Sequence, residues 1–368
     1  MTLVDIAKGE SDFHTPEHVK RAAWDAIQSN FTKYTPQPGI PELREAVARK
    51  FRTENNIDAA PEDVVIACGG KHVVEMAIRS LIRPGDEAIM MTPHWNAYPG
   101  QVRLAGGTPI FVEVSESCGF LPDIEAISAA ISPRTRLLII NSPANPTGAV
   151  YPAWLLEHIA ALAVEKNLHV LSDEVYEKIV FNGTAHISIA SLGKEISLRT
   201  VTVGSTSKTH AMTGWRIGYG LLPAGLADRV IHVLGLSTSA ASAISQRAAL
   251  AALTGDQSHI AAMTSAYAAR RDFLLDRIAS IECLSAVPPK GTFYCFVNIS
   301  RLIGRVYEGA RINNADDFAH IAQEAGGVRV LSGVAFGSPE HIRISFAVSQ
   351  QAIEEGMKRL AHWIGSGD

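Results

Sequence analysis

Residues Gly204–Gly218 read GSTSKTHAMTGWRIG. An apolar run ends at Gly204, two hydroxyls (Ser205 and Ser207) precede Lys208, and Arg216 follows eight residues later, beyond Gly214. Hydroxyls, a guanidinium and a strand end can assemble an anion site close to a single amine. An amine desolvated beside other cations has a depressed pKa and becomes a nucleophile able to form an imine. Taken alone, a lysine at a strand end is a surface residue, so its neighbourhood in the sequence has to decide.

Outward from this stretch, short apolar runs alternate with helical patterns. Strands are predicted at Val64–Ala67, Ala88–Thr92, Pro109–Val114, Leu137–Asn141, His169–Ser172, Thr200–Gly204 and Tyr219–Leu222. Most lack polar alternation, the mark of strands covered on both faces. Helical patterns occupy Lys71–Ile82, the segment after Leu121, and Ala153–Lys166. Strand–helix–strand order predicts an α/β fold with a mostly parallel sheet and right-handed crossovers. Pro41 opens a further helix whose Leu43, Val47 and Phe51 form one apolar stripe. Towards the C-terminus come strands at Phe293–Asn298, Val328–Leu331 and His341–Ala347, a helix near Ala315–Ala325 and a last helix from about Gln350. These predict a smaller α+β domain of residues 1–18 and 276–368 beside a large domain of residues 19–275.

Composition narrows the function. The chain has 368 residues, 47% hydrophobic and 19% charged, and its 33 basic against 37 acidic side chains give a net charge of −4. That balance offers no nucleic-acid or anionic-membrane surface. Cys68, Cys118, Cys283 and Cys295 form no CxxC pair, which fits free thiols in a reducing compartment and argues against structural zinc. No basic-then-apolar leader opens the sequence, and the uncharged stretch Leu137–Leu156 contains three prolines, so a cytoplasmic protein without membrane helices is expected. Dinucleotide, P-loop and hydrolase signatures are absent. His14 and His18 read as solvated residues at a helix start; no metal is expected.

Four more segments follow strand ends, where open α/β sheets bind ligands. In LSDEVY (Leu171–Tyr176), Asp173 can hold a heteroaromatic nitrogen protonated, with Tyr176 as a nearby donor; alternatively Asp173 is a helix N-cap. In NSPANPTG (Asn141–Gly148), Asn145-Pro146 presents an amide on a turn. Gly69-Gly70-Lys71 opens a helix with free N–H groups suited to an anion, or is only a tight turn. Trp95, in PHWNAY, can stack on a flat ligand or serve the core.

In order and spacing, these segments together with YTPQPGIPEL (Tyr34–Leu43) and Arg343 in HIRISFA resemble the class I aminotransferases of fold type I, over nearly the whole chain. The resemblance implies pyridoxal 5'-phosphate as cofactor, amino acids and 2-oxo acids as substrates, and a seven-stranded sheet between helices. It implies that Lys208 carries the cofactor as an internal aldimine and shuttles the Cα proton, that Asp173 pairs with the pyridinium nitrogen, and that Tyr176 and Asn145 bond the phenolic oxygen. Trp95 would cover the ring. Ser205, Ser207, Arg216 and the backbone of Gly70 and Lys71 would hold the phosphate, with Tyr34 reaching it from the other subunit of a homodimer. Arg343 would clamp the substrate α-carboxylate, helped by Gly9 and Asn145. The same fold also supports a pyridoxal-phosphate-dependent lyase or amino-acid oxidase as the alternative outcome.

Gly9 stands nearer the start than in the family, which implies a short N-terminal arm. His94 before Trp95 and Ser332-Gly333 depart from the family pattern near the substrate pocket. No second arginine is recognisable for a distal carboxylate, so aspartate is not favoured over aromatic, basic or other neutral amino acids.

Overall fold

Strands that are apolar on both faces need cover on both faces, and the central sheet has it. The structure is a computed structural model that describes residues 2–307 and 309–365. Met1, Glu308 and the last three positions of the expected segment 276–368 lie outside the described residues. Strand β1 is Val4–Asp5; the sheet strands are β2 (Val64–Ala67), β3 (Glu87–Thr92), β4 (Thr108–Glu113), β5 (Thr135–Asn141), β6 (His169–Asp173), β7 (Thr200–Ser205) and β8 (Gly218–Leu221). Their order is β2-β8-β7-β6-β5-β3-β4. Neighbours from β4 to β7 run parallel, and β8 is antiparallel to both β2 and β7.

Adjacent residues of each strand serve opposite faces, as the two-residue period requires. Met90, Leu137, Ile139, Leu171, Val201 and Val203 pack with Val73, Val74 and Ala77 of the helix Gly70–Leu81. Ile89, Met91, Leu138, Ile140 and Val170 face the other way, onto Leu155, Leu156 and Ile159 of the helix Ala153–Glu165. At the β2–β8 edge, Val64, Ile66, Tyr219 and Leu221 bury Leu43, Val47 and Phe51 of the helix Pro41–Glu54, the stripe expected from the sequence.

A second core lies towards the C-terminus. Strands β9 (Ser285–Ala286), β10 (Tyr294–Asn298), β11 (Val306–Tyr307), β12 (Ala310–Arg311), β13 (Val328–Arg329), β14 (Leu331–Ser332) and β15 (His341–Ser345) complete the set. One antiparallel sheet has the order β14-β15-β10-β9, and β1 pairs in parallel with β13. The single strand expected at Val328–Leu331 is therefore two: its first half pairs with the N-terminal segment and its second half with β15. Phe293, Val297, Ile342, Ile344 and Phe346 pack there with Met357 and Leu360 of the helix Gln350–Gly365 and Tyr267 of the helix Ser258–Ala279. No helix among the described residues is long and apolar enough to cross a membrane.

Backbone approaches closely where β8 meets the start of the helix Gly70–Leu81. A Cβ on Gly218 would collide with the backbone of Gly69 and Gly70, and one on Gly204 with the Tyr219 ring. Gly218→Ala should therefore lower stability by roughly 1–3 kcal/mol, the range for overpacking a filled site. Urea unfolding should show this as a lower midpoint with an unchanged slope; an unchanged midpoint would show that the turn yields freely.

Candidate active site

Parallel register brings chemistry to one level. Asn141 lies opposite Asp173, and Asp173 opposite Val203, two residues before Ser205, so the C-terminal ends of β5, β6 and β7 open into the same space. That space is a cavity of about 510 Å³, a size suited to a cofactor and a small substrate. It gathers Gly9, Gly70, Lys71, Trp95, Asn145, Asp173, Tyr176, Ser205, Ser207, Lys208, Arg216 and Arg343, every expected site residue except Tyr34. Tyr34 is 99% exposed and lies outside the cavity lining.

At one end the helix Gly70–Leu81 points its N-terminus into the cavity. Gly69 caps it at φ +91°, a conformation glycine adopts without strain, and no side chain caps the first turn. Gly70 and Lys71 occupy positions whose N–H groups have no intrahelical acceptor. The Arg216 guanidinium lies across this turn, donating to the carbonyls of Cys68 (3.2 Å) and Thr213 (2.9 Å). Ser205 caps its own short helix, accepting from the Ser207 amide at 3.0 Å and donating to the Ser207 hydroxyl at 2.9 Å. Amide donors, hydroxyls and a guanidinium with one focus fit a phosphate.

Asp173 is 5% exposed. Tyr98 Oη donates to its Oδ2 at 2.7 Å and the Val175 amide to its Oδ1 at 3.4 Å. Burial pushes its carboxyl up to about 6, against the opposing pull of Tyr98, Val175 and Lys208. It is not a helix N-cap, because Val175 opens a turn there. Lys208 Nζ donates to the Gly9 carbonyl and lies 5.5 Å from the Phe293 ring centroid and 5.9 Å from that of Tyr176.

Across the cavity, Arg343 is buried on β15. Its Nη1 donates to Asn145 Oδ1 at 2.9 Å and its Nη2 to the Ala7 carbonyl at 3.2 Å, while Nε is buried without a hydrogen-bond partner. Its guanidinium carbon sits 3.9 Å from the Tyr294 ring centroid and 5.1 Å from that of Phe336. Asn141 holds the Asn145 loop, accepting the Asn145 amide at 2.8 Å and donating to the Asp173 carbonyl at 2.9 Å.

The loop after β6 divides its side chains. Asp173 and Tyr176 face the cavity, whereas Glu174 and Glu177 enter a buried polar network. Lys50 and Asn55 donate to Glu177, and Ser172, Ser188 and His186 bond Glu174. Glu174, Glu177 and His186 are close enough to share a metal ion. The Lys50 ammonium already supplies the cation there, and the hydroxyls satisfy Glu174.

Sequence reasoning does not single out Tyr98, Asn141, Tyr294, Phe336 or Lys8, all at or beside the cavity. Tyr98 stands three residues after Trp95, a spacing that could have flagged it. His18 differs from its expected solvated state: it is half-buried, its ring centroid 6.1 Å from that of His259, with a buried, unbonded Nε2. The helix beneath it turns that face inward, since Val19 and Ala23 are core.

A raised Asp173 pKa fixes the sign of a stability effect. Between the unfolded value near 4 and about 6, the folded state holds the proton more tightly, so stability falls as pH rises through that window. Cofactor-free Asp173→Asn protein should thus be more stable than wild type at pH 7.5, by up to about 3 kcal/mol, with the difference shrinking towards pH 4. Urea midpoints at both pH values test this; equal differences at the two would refute it.

The profile of the family "Aminotransferase class I and II" matches residues 2–360. The aspartate/prephenate aminotransferase of Thermus thermophilus is 40% identical over 99% of this chain and 91% of its own length. The aspartate aminotransferase of Rhizobium meliloti superposes with a TM-score of 0.96 at 36% identity, covering 100% of this chain and 92% of the other. An aromatic aminotransferase from Pyrococcus horikoshii OT3 superposes at 0.93 with 34% identity, over 99% and 96% of the two chains.

Proposed function

This chain belongs to the class I and II aminotransferases, enzymes that move an amino group from an amino acid to a 2-oxo acid, and we propose that it holds pyridoxal 5'-phosphate in this cavity and acts on dicarboxylic amino acids, aspartate foremost. The carrying observation is the convergence of Lys208, Asp173, Tyr176, Asn145, Arg216 and Arg343 on one cavity. The donor set fits the cofactor: an anion cradle at Gly70, Ser205, Ser207 and Arg216, a buried carboxylate at Asp173 whose ionised form needs a cation, and Trp95 on the wall. Bound there, the cofactor supplies an electron sink that makes the substrate Cα–H acidic.

The protein does the rest. Asp173 keeps a proton on the ring nitrogen, because a carboxylate stripped of water is stabilised most by an adjacent positive charge. Tyr176 and Asn145 donate to the phenolic oxygen. Lys208 Nζ, placed beside the Gly9 carbonyl, would hold the cofactor through its aldehyde carbon, with loss of water. With its amine free, Lys208 would be the base and acid that moves the substrate Cα proton. Arg343, its Nη1 and Nη2 each held by one bond and its Nε free, would bind the α-carboxylate and so orient the Cα–H bond. The exposure of Tyr34 outside its own cavity supports a homodimer in which it reaches the phosphate of the neighbouring site.

The substrate assignment rests on charge. Lys8 and Lys71 also line the cavity, and neither has a carboxylate partner within ion-pair distance among the described residues. They supply the positive charge for a distal carboxylate, for which the sequence shows no second arginine, and the names of the relatives support this reading. The apolar wall of Trp95, Leu331 and Phe336 favours ring-bearing amino acids as a second group.

Protein saturated with pyridoxal phosphate should convert aspartate and 2-oxoglutarate into oxaloacetate and glutamate, and Lys208→Ala should abolish turnover. Lys71→Met and Lys8→Met should each raise the KM for aspartate about tenfold, the value of one partly desolvated charge pair. kcat/KM for phenylalanine should change less than about twofold on the same scale. Equal losses for aspartate and phenylalanine would defeat the dicarboxylate assignment.

A further inference from the structure

Tyr294 touches more of the cavity than any single assigned role explains. It begins β10, the strand paired with the Arg343-bearing β15, and its side chain is 1% exposed. Its ring lies under the Arg343 guanidinium at 3.9 Å. Its hydroxyl is 3.0 Å from the hydroxyl of Tyr176, and a Cβ built on Gly9 would come within 3.3 Å of that same oxygen. Substrate clamp, phenolic donor and the backbone that receives Lys208 are thus joined through one side chain.

The hydroxyl pair has two possible polarities. Each phenol has one proton to give. Were Tyr176 to donate to Tyr294, it would have no proton left for a ligand in the cavity. With Tyr294 donating, Tyr176 is free to donate into the cavity, and a donor that itself accepts a hydrogen bond is strengthened. An anionic oxygen in the cavity selects the second arrangement. The Tyr176 phenol stays neutral there, since burial, followed by the charge and hydrogen bond of Tyr294, holds its hydroxyl well above its usual range.

We propose that Tyr294 is a positioning residue: its hydroxyl donates to Tyr176 and aims the Tyr176 proton at the cofactor's phenolic oxygen, while its ring face holds the Arg343 guanidinium flat for the substrate carboxylate. This rests on the cofactor reading above. The two roles separate chemically, because phenylalanine keeps the ring and leucine removes both ring and hydroxyl.

A donor on the phenolic oxygen favours the more negative, deprotonated form of the bound cofactor and so lowers the pH midpoint of its visible absorbance change. In holoenzyme, Tyr294→Phe should raise that midpoint by about half a pH unit, the value of one neutral hydrogen bond. Its affinity for succinate, an unreactive dicarboxylate, should stay within about twofold of wild type, because the ring face is kept. Tyr294→Leu should weaken succinate about fivefold, as expected for a lost cation–π contact. In a Tyr176→Phe background, adding Tyr294→Phe should move the midpoint no further. An unmoved midpoint in Tyr294→Phe overturns the hydroxyl role, as does an equal shift without Tyr176, and loss of succinate binding in the same variant would make the residue merely structural. Unchanged succinate affinity in Tyr294→Leu overturns the ring role. A wild-type protein without any pH-dependent band when saturated with pyridoxal phosphate would instead refute the cofactor reading, so the two failures are distinguishable.

Discussion

The Asp173 carboxylate is withdrawn from water at the end of a buried strand, and the fold surrounds it with hydrogen bonds but, among the described residues, no ion-pair partner. Tyr98 and the Val175 amide are its donors, and they do not offset desolvation, which leaves its pKa at about 6. A buried charge without a partner costs several kcal/mol unless it neutralises itself or finds an opposite charge. Partial protonation of the carboxyl resolves this in one way, and a protonated heteroaromatic ring beside it resolves it better. Binding of such a ring is therefore coupled to relief of a cost built into the fold. The parallel register generates that cost, since it sets Asp173 level with Asn141 at the open end of the sheet.

The residues beyond Asp173 meet the opposite problem in a different way. Glu174 and Glu177 point away from the cavity into a region as dry as the core, and there every carboxylate oxygen finds a donor. Although burial raises the Glu177 pKa, Lys50, His186 and Asn55 outweigh it and hold it at about 2. Removing one partner from such a pair typically costs about 3–5 kcal/mol, because the other charge stays buried. The loop that aims Asp173 and Tyr176 is thus fixed from behind by a network that cannot be broken cheaply. Its contribution is complete above about pH 4.5 and fades as the pH falls towards 2, the reverse of the Asp173 effect. A single short segment carries both signs.

The central sheet is legible in the sequence because its signal is local. The predicted strand Val64–Ala67 matches to the residue, and the other sheet strands differ from expectation by one or two positions at their ends. A strand covered on both faces is apolar at every position, and that needs no knowledge of its partners. Most residues of the cavity stand out in the sequence for a related reason, since they follow directly on those strands; Gly9 and Arg343 lie outside that sheet and do not. What escapes depends on distance along the chain. Tyr98 and Asp173 are 75 residues apart, Tyr176 and Tyr294 118, and Lys50 and Glu177 127. Val328–Leu331 reads as one strand because nothing in those four residues reveals that β1 claims the first half. The sequence shows no arginine to face a distal carboxylate, whereas the cavity offers Lys8 and Lys71, whose positions are set by the segment beside Gly9 and the helix at Gly70.

The two ends of the cavity present their donors by different physics. At the helix N-terminus the guanidinium of Arg216 is exposed, and the fixed elements are backbone amides and hydroxyls. An exposed cation is screened by water and salt and gives little selectivity, so shape there comes from glycines whose missing Cβ atoms let backbone and guanidinium meet. Across the cavity Arg343 is buried between two aromatic faces with its Nε unsatisfied. A buried donor without a partner is costly, and a carboxylate presented in the plane of the fork removes that cost. A ligand lacking the carboxylate leaves the deficit in place. On the proposed reading, selection for an α-carboxylate is concentrated at Arg343 and the ring beneath it, and choice among amino acids at Lys8 and Lys71.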